Sequence, residues 1–224
     1  MAEESEPKRA TAEGQAAHGR PAWRPLIDHA LESASSFLGG RPWVPPNEPP
    51  HMCGLCGRPL HLLVQLDIER LPSAAFCERS GLFQLFYCVN CTDWMPFSAG
   101  HVARVIPAEG TSPTASGVEL PRHPIGGWAQ VEDLPTLVEG ADRLGLDDLA
   151  DDDPCLSGHK LGGWPFWVQG VEYPSCPRCS EEMRYVLQLD FEPPLEDLFG
   201  DSGCGHVSQC PSHPEVLAFT WACC

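Results

Sequence analysis

The chain has 224 residues, enough for one large domain or two lobes with a sizeable core. A net charge of −17 repels phosphate backbones and welcomes basic partners, which argues against nucleic-acid binding. No apolar run reaches the roughly 18 residues of a membrane span, and 24 prolines with 21 glycines favour turns and short strands over long helices.

Residues 1–20 are polar and read as a disordered tail. From Pro25, the residues Leu26, Ile27, Ala30, Leu31, Ala34 and Phe37 repeat at three and four positions, which predicts an amphipathic helix stopped by Gly39-Gly40. A C-x-x-C follows at Cys53/Cys56, and then apolar runs predict strands over 60–66, 81–87 and 102–106. Residues 107–125 have linker composition, a short helix is expected within 134–149, and five acids crowd a solvated turn at 147–153. Strands are predicted again over 184–189, 205–209 and 217–222. The expected organisation is a tail (1–20), a helix with a first metal-binding repeat (21–106), a linker with a short helix (107–156) and a second repeat (157–224).

The second repeat rests on a recurrence 123 residues apart. Gly39-Gly40-Arg41-Pro42-Trp43 is answered by Gly162-Gly163-Trp164-Pro165-Phe166, Cys53/Cys56 by Cys176/Cys179, and Gln65-Leu66-Asp67 by Gln188-Leu189-Asp190. With one residue dropped, Gly81, Cys88 and Cys91 align with Gly203, Cys210 and His213. Scattered cysteines thereby become two four-ligand sets, Cys53/Cys56/Cys88/Cys91 and Cys176/Cys179/Cys210/His213. Thiolate and imidazole are the usual donors of a tetrahedral structural zinc, so two structural zinc ions are expected. Such closed sites hold structure and leave no open position to activate water. Five cysteines lie outside the sets (Cys77, Cys155, Cys204, Cys223 and Cys224), and no secretory signal follows Met1, which suits a reducing cytoplasm. The fold class is therefore α+β and β-rich, with internally duplicated pseudo-symmetric sheets, each stapled by a zinc-ribbon-like site.

No catalytic motif stands out. The pairs Asp67/Glu69 and Asp190/Glu192 occur in both copies, whereas a catalytic site usually needs one. Gly200-Asp201-Ser202-Gly203 reads as a tight turn, with Gly200, Asp201 and Gly203 its candidate functional residues. The enzymatic alternative gathers Asp190, Glu192, Asp201 and His206 around one reaction centre. Trp43, Trp164, Trp167 and Trp221 are expected in the core or along a groove.

The second half, with His159-Lys160-Leu161-Gly162-Gly163-Trp164-Pro165, Leu187-Gln188-Leu189-Asp190, Phe199-Gly200-Asp201-Ser202-Gly203 and Trp221-Ala222-Cys223-Cys224, resembles the bacterial YwqG-like family. That resemblance implies a duplicated β-rich domain of unknown function; the chain departs from its pattern at Phe199, where tryptophan is usual, and by its metal half-sites. The first half, with Gly39, Gly40, Pro42, Trp43, Cys53, Cys56, Gly57, Pro59, Leu63 and Gln65, is similar to the programmed cell death protein two family. This second resemblance implies escort of a newly made ribosomal protein. Together with the acidic charge, these features lead us to expect a cytosolic scaffold for a protein partner, with a basic client, no nucleic acid and no membrane.

Overall fold

The computed structural model describes residues 16–72, 75–114, 119–146 and 153–224. Ten of its strands form one antiparallel sheet, and a further pair, β3 (Trp43–Val44) and β7 (Ser112–Pro113), lies apart. The middle of the sheet is β1 (Arg20–Ile27) against β8 (His123–Asp133), paired from Arg20↔Asp133 to Ile27↔Ile125. To one side of β8 run β2 (Phe37–Leu38), β4 (His61–Asp67), β5 (Leu82–Tyr87) and β6 (His101–Ile106). To the other side of β1 run β9 (Lys160–Gly162), β10 (Arg184–Leu189), β11 (Cys204–Gln209) and β12 (Leu217–Ala222). The crossing is the notable feature: β1 pairs with β9 of the C-terminal half, and β8 pairs with β2 of the N-terminal half.

Pairing recurs at the sequence offset. Phe37 faces Gln65 and Lys160 faces Gln188; bulges fall between Leu62 and Val64 and between Tyr185 and Leu187. Each buried glutamine bridges its half in the same way. Gln65 accepts the Trp43 N–H (2.9 Å) and donates to the Ser35 carbonyl (3.0 Å), while Gln188 accepts the Phe166 N–H (2.8 Å) and donates to the Gly158 carbonyl (2.9 Å). A buried amide left unpaired would be costly, so these bonds specify where each loop meets the sheet. Gly39, Gly40, Gly162 and Gly163 all have φ between +62° and +72°, a region open to glycine at little cost.

Sheet curvature brings the edge strands β6 and β12 together, and the Phe219 N–H donates to the Pro96 carbonyl at 3.3 Å across that seam. One core fills the inside from both halves, with Leu63, Phe83, Leu85 and Tyr87 meeting Leu187, Phe199, Val207 and Phe219. Tyr87 touches the Phe219 ring edge-on at 5.7 Å. The outward side chains of the same strands form two satellite clusters, Phe37, Leu60, Leu62 and Phe86 around Cys53 and Cys88, and Met183 and Ala218 around Cys176 and Cys210. Period-two alternation thus places a core on one face and a cysteine cluster on the other.

The helix expected from Pro25 to Phe37 does not form. Pro25, Leu26 and Ile27 belong to β1, and Asp28 then turns the chain by accepting the Ala30 N–H at 3.0 Å. Of that apparent apolar stripe, Leu26 and Leu31 are exposed while Ala34 and Phe37 are buried, so its spacing was accidental. The expected linker 107–125 contains β7 and the start of β8 instead. The short helix is present as α1 (Leu137–Leu144), capped by the Thr136 hydroxyl accepting the Glu139 N–H (3.2 Å) and ended by Gly145 at φ 65°. The end of the expected tail 1–20 is ordered instead: the Gly19 N–H donates to the Ala16 carbonyl and Arg20 opens β1 opposite Asp133, because pairing with β8 satisfies its backbone; residues 1–15 of that tail and 147–152 of the acidic turn lie outside the described residues.

Candidate functional site

Each C-x-x-C sits on a tight knuckle held by its own backbone. In the first, the Cys53 N–H donates to the Arg58 carbonyl and the Gly57 N–H to the Cys53 carbonyl, both at 2.8 Å. In the second, Cys176 donates to Glu181 and Ser180 to Cys176, again at 2.8 Å. Gly57 and Ser180 take φ of 70° and 64°, so the second knuckle accepts a left-handed residue that is not glycine. The other half-site comes from the end of β5 or β11. Cys88 and Cys210 directly follow those strands, and Cys91 and His213 lie on the turns beyond.

The four donor atoms of Cys53, Cys56, Cys88 and Cys91 lie within 4.8 Å of one another, as do those of Cys176, Cys179, Cys210 and His213. In the first set the Cys53–Cys91 and Cys56–Cys88 sulfurs are 3.8 and 3.6 Å apart. In the second, Cys179 and Cys210 are 3.7 Å apart, and His213 Nδ1 lies 3.8 Å from Cys176 and 3.7 Å from Cys210. Sulfurs at about 2.3 Å from a tetrahedral zinc stand about 3.8 Å apart, so both sets fit the ion. All twelve cysteines are free thiols.

Electrostatics point the same way. Burial opposes ionisation of Cys53, yet the Cys56 and Leu55 backbone N–H groups and neighbouring thiols bring its pKa down to about 7. Cys88 is raised by burial, and Cys91 is raised by its hydrogen bond to Cys56. In the second set Cys176 is lowered: burial resists, but the Arg178 and Cys179 N–H groups prevail. Cys179 is raised to about 11, because burial and the Cys176 and Cys210 sulfurs outweigh the Glu181 N–H. These sulfurs can all carry charge together only with a cation among them. Both sets can therefore hold a metal ion, and their geometry is consistent with zinc.

A family model described as a domain of unknown function (DUF1963) matches residues 36–211, more than three quarters of the chain. The chain belongs to that family. A stretch of 53 residues, 24% of the chain, is 40% identical to the uncharacterized protein YpfL of Salmonella typhimurium strain LT2 and spans 12% of it. A stretch of 44 residues, 20% of the chain, is 41% identical to the terpene cyclase/mutase ntnI of Nectria sp and spans 6% of that protein. Both metal sets begin inside the DUF1963 match, and His213 falls two residues past its end.

The remaining candidates of this DUF1963 chain engage their own local partners. Asp190 is buried and accepts the Gly158 N–H at 2.5 Å; Glu192 accepts the His159 N–H at 3.2 Å. Asp201 is exposed on its turn between Gly200 and Gly203, while His206 is buried between Trp167 and Tyr185 with its Nε2 3.5 Å from the Cys204 sulfur. Burial brings the His206 pKa down to about 3. Among the described residues, no hydrogen bond or ion pair joins these four side chains to one another. In the first half, Asp67 accepts the Ser35 hydroxyl (2.8 Å) and pairs with Arg70, and Glu69 lies in the following turn. Trp164 and Trp167 are buried, and Trp43 and Trp221 are half-buried.

Sequence reasoning missed Trp94, Met95 and Phe97. They lie on the loop after Cys91 and are 55%, 49% and 44% exposed; Leu55 of the first knuckle is 53% exposed, and the end of the loop meets that knuckle where the Gly54 N–H donates to the Ala99 carbonyl at 2.8 Å. Their loop runs from Thr92 to Gly100, whereas only Pro214 to Val216 separates His213 from β12. That difference in length, with three large apolar residues in the longer loop, was a visible signal. The loop is also fixed in place: Trp221 Nε1 donates to the Asp93 carbonyl at 3.1 Å.

Proposed function

We propose that each ligand set holds one structural zinc ion, and that this protein is a cytosolic scaffold that binds a basic polypeptide. The observation that carries the binding role is the exposure of four large apolar side chains, Leu55 on the first knuckle and Trp94, Met95 and Phe97 on the loop after Cys91, in a chain of net charge −17. Exposed aromatic and methionine side chains on a rigid support suit capture of another chain, and the acidic field favours a basic one. With both zinc ions bound by seven thiolates and one imidazole, the charge falls to about −20, which strengthens that preference. The matching registers in the two halves support an internally duplicated domain, and the Lys160–Pro165 and Leu187–Asp190 stretches support placing it with the YwqG-like proteins. The first-half resemblance to the programmed cell death protein two family supports a nascent nucleic-acid-binding protein as the client.

Native mass spectrometry of protein purified without chelator tests the metal, and two zinc ions per chain are expected. Titration with an amphipathic lysine–leucine peptide tests the binding surface. We expect binding that weakens with salt and with Trp94→Ser. Failure to bind at about 50 mM salt, where exposed charges are weakly screened, would remove the basic-client reading.

A further inference from the structure

A cleft of the second half lies between the start of β1, α1 and the second knuckle hairpin, with none of the eight metal donors among its lining residues. It encloses ≈ 480 Å³, within the usual range of small-ligand sites. Arg20 stacks its guanidinium 3.2 Å over the Trp164 ring, and among the described residues it forms no ion pair with a carboxylate. Arg20 is exposed at the mouth of the cleft; its partial burial pulls its pKa down, against the fields of Tyr173, Glu139 and Asp133. The other acids and bases of the cleft are already engaged. Arg143 makes a two-pronged contact with Glu182 at 2.7 and 2.8 Å, and Glu139 accepts the Trp167 indole N–H at 2.6 Å. Tyr185 lines the same cleft, is 8% exposed, and its buried hydroxyl has no partner.

The corresponding place in the first half explains why this one is open. Leu60 and Leu62 stand 123 residues before Met183 and Tyr185, and the cavity they line is only ≈ 30 Å³. The chain's own Glu48, Pro49 and Pro50 wall it, and the Glu48 carboxylate pairs there with Arg104 (2.6 Å) and His51 (3.2 Å). The first half thus supplies its own carboxylate to a cation beside the sheet; in the second half the space holds an arginine, and among the described residues no segment of the chain fills it.

We propose that the Arg20–Trp164 cleft binds a small organic oxyanion, a carboxylate or phosphate monoester with a flat apolar body. The oxyanion takes the Arg20 guanidinium, and the apolar body lies against Leu144 and Tyr173, the partly exposed apolar side chains of the cleft. This inference stands apart from the polypeptide-binding surface, which lies on the first knuckle and the loop after Cys91.

The test is a titration of the zinc-loaded full chain with benzoate, phenyl phosphate and inorganic phosphate, followed by ¹H–¹⁵N NMR at the Trp164 indole N–H. A saturable shift with benzoate or phenyl phosphate is expected, and whichever binds tighter assigns the oxyanion. Arg20→Gln should weaken that binding by about tenfold or more, as loss of a charge-assisted contact does. Arg24→Gln, further along the same strand, should leave it unchanged, and Arg20→Lys should fall between the two. Three outcomes overturn the proposal: no saturable shift up to about 20 mM of any probe, inorganic phosphate binding as tightly as phenyl phosphate, or undiminished binding by a normally folded Arg20→Gln.

Discussion

Lys160→Met is the sharpest perturbation of this fold. Lys160 and Asp133 are both 0% exposed, and their ion pair of 2.8 Å links β9 to β8 across β1. Asp133 also accepts the Leu156 N–H (2.9 Å) and the Trp164 N–H (2.8 Å), while Lys160 donates to the Leu156 carbonyl at 2.5 Å. Methionine keeps most of the lysine stem, so lost packing is minor. What it removes is the charge that neutralises Asp133. A buried pair broken from one side costs about 3–5 kcal/mol. For a chain of this size that lowers the melting temperature by roughly 6–20 °C. The assay is urea and thermal unfolding of the zinc-loaded protein, with Asp133→Asn added in a double-mutant cycle. The double variant should recover part of the loss, because asparagine carries no charge and still accepts one of the two backbone bonds. A single-variant cost below about 1 kcal/mol would refute the reasoning, since it would place the pair in contact with water.

Cys88→Ser should lower zinc content by one equivalent and destabilise the chain by several kcal/mol, read by native mass spectrometry and denaturation, because metal binding is coupled to folding. His213→Cys should keep the second ion, since four thiolates make an equally good shell; loss of that zinc would count against His213 as a ligand. His206 gives a pH prediction. Its folded pKa near 3 lies below the unfolded value, so the unfolded state takes up the proton first and stability falls as pH drops through about 6.5 toward 3. His206→Leu should therefore reduce the stability lost between about pH 7 and pH 5 by about 2 kcal/mol, and an unchanged pH profile would show that His206 is not buried neutral. Phe97→Ser should weaken the lysine–leucine peptide without altering zinc content, because its side chain is outside both clusters around the cysteines.

The ligand sets were legible because their signal is chemical and local. Cys53/Cys56 and Cys176/Cys179 need a two-residue gap to share one ion, and that constraint survives in any tertiary setting. Strands β5, β10 and β12 were legible for a related reason: each is a short apolar run closed by turn residues. Strand β8 was not, because His123-Pro124-Ile125-Gly126-Gly127 reads as linker until β1 lies beside it. The false helix at Pro25–Phe37 failed in the same way. Its spacing fitted a helix, but pairing with β8 and β9 satisfies the backbone of residues 20–27 in an extended form.

By itself, then, the sequence determined the two metal knuckles, the short strands that carry them and the acidic character of the surface, since each depends on residue type and spacing along the chain. Only the tertiary structure decided that β1 and β8 cross between the halves, that Lys160 meets Asp133, that Arg20 stacks on Trp164, and that Trp94 faces outward. Those outcomes depend on which distant segments satisfy one another's backbone and charge, and residue spacing along the chain carries no record of that choice.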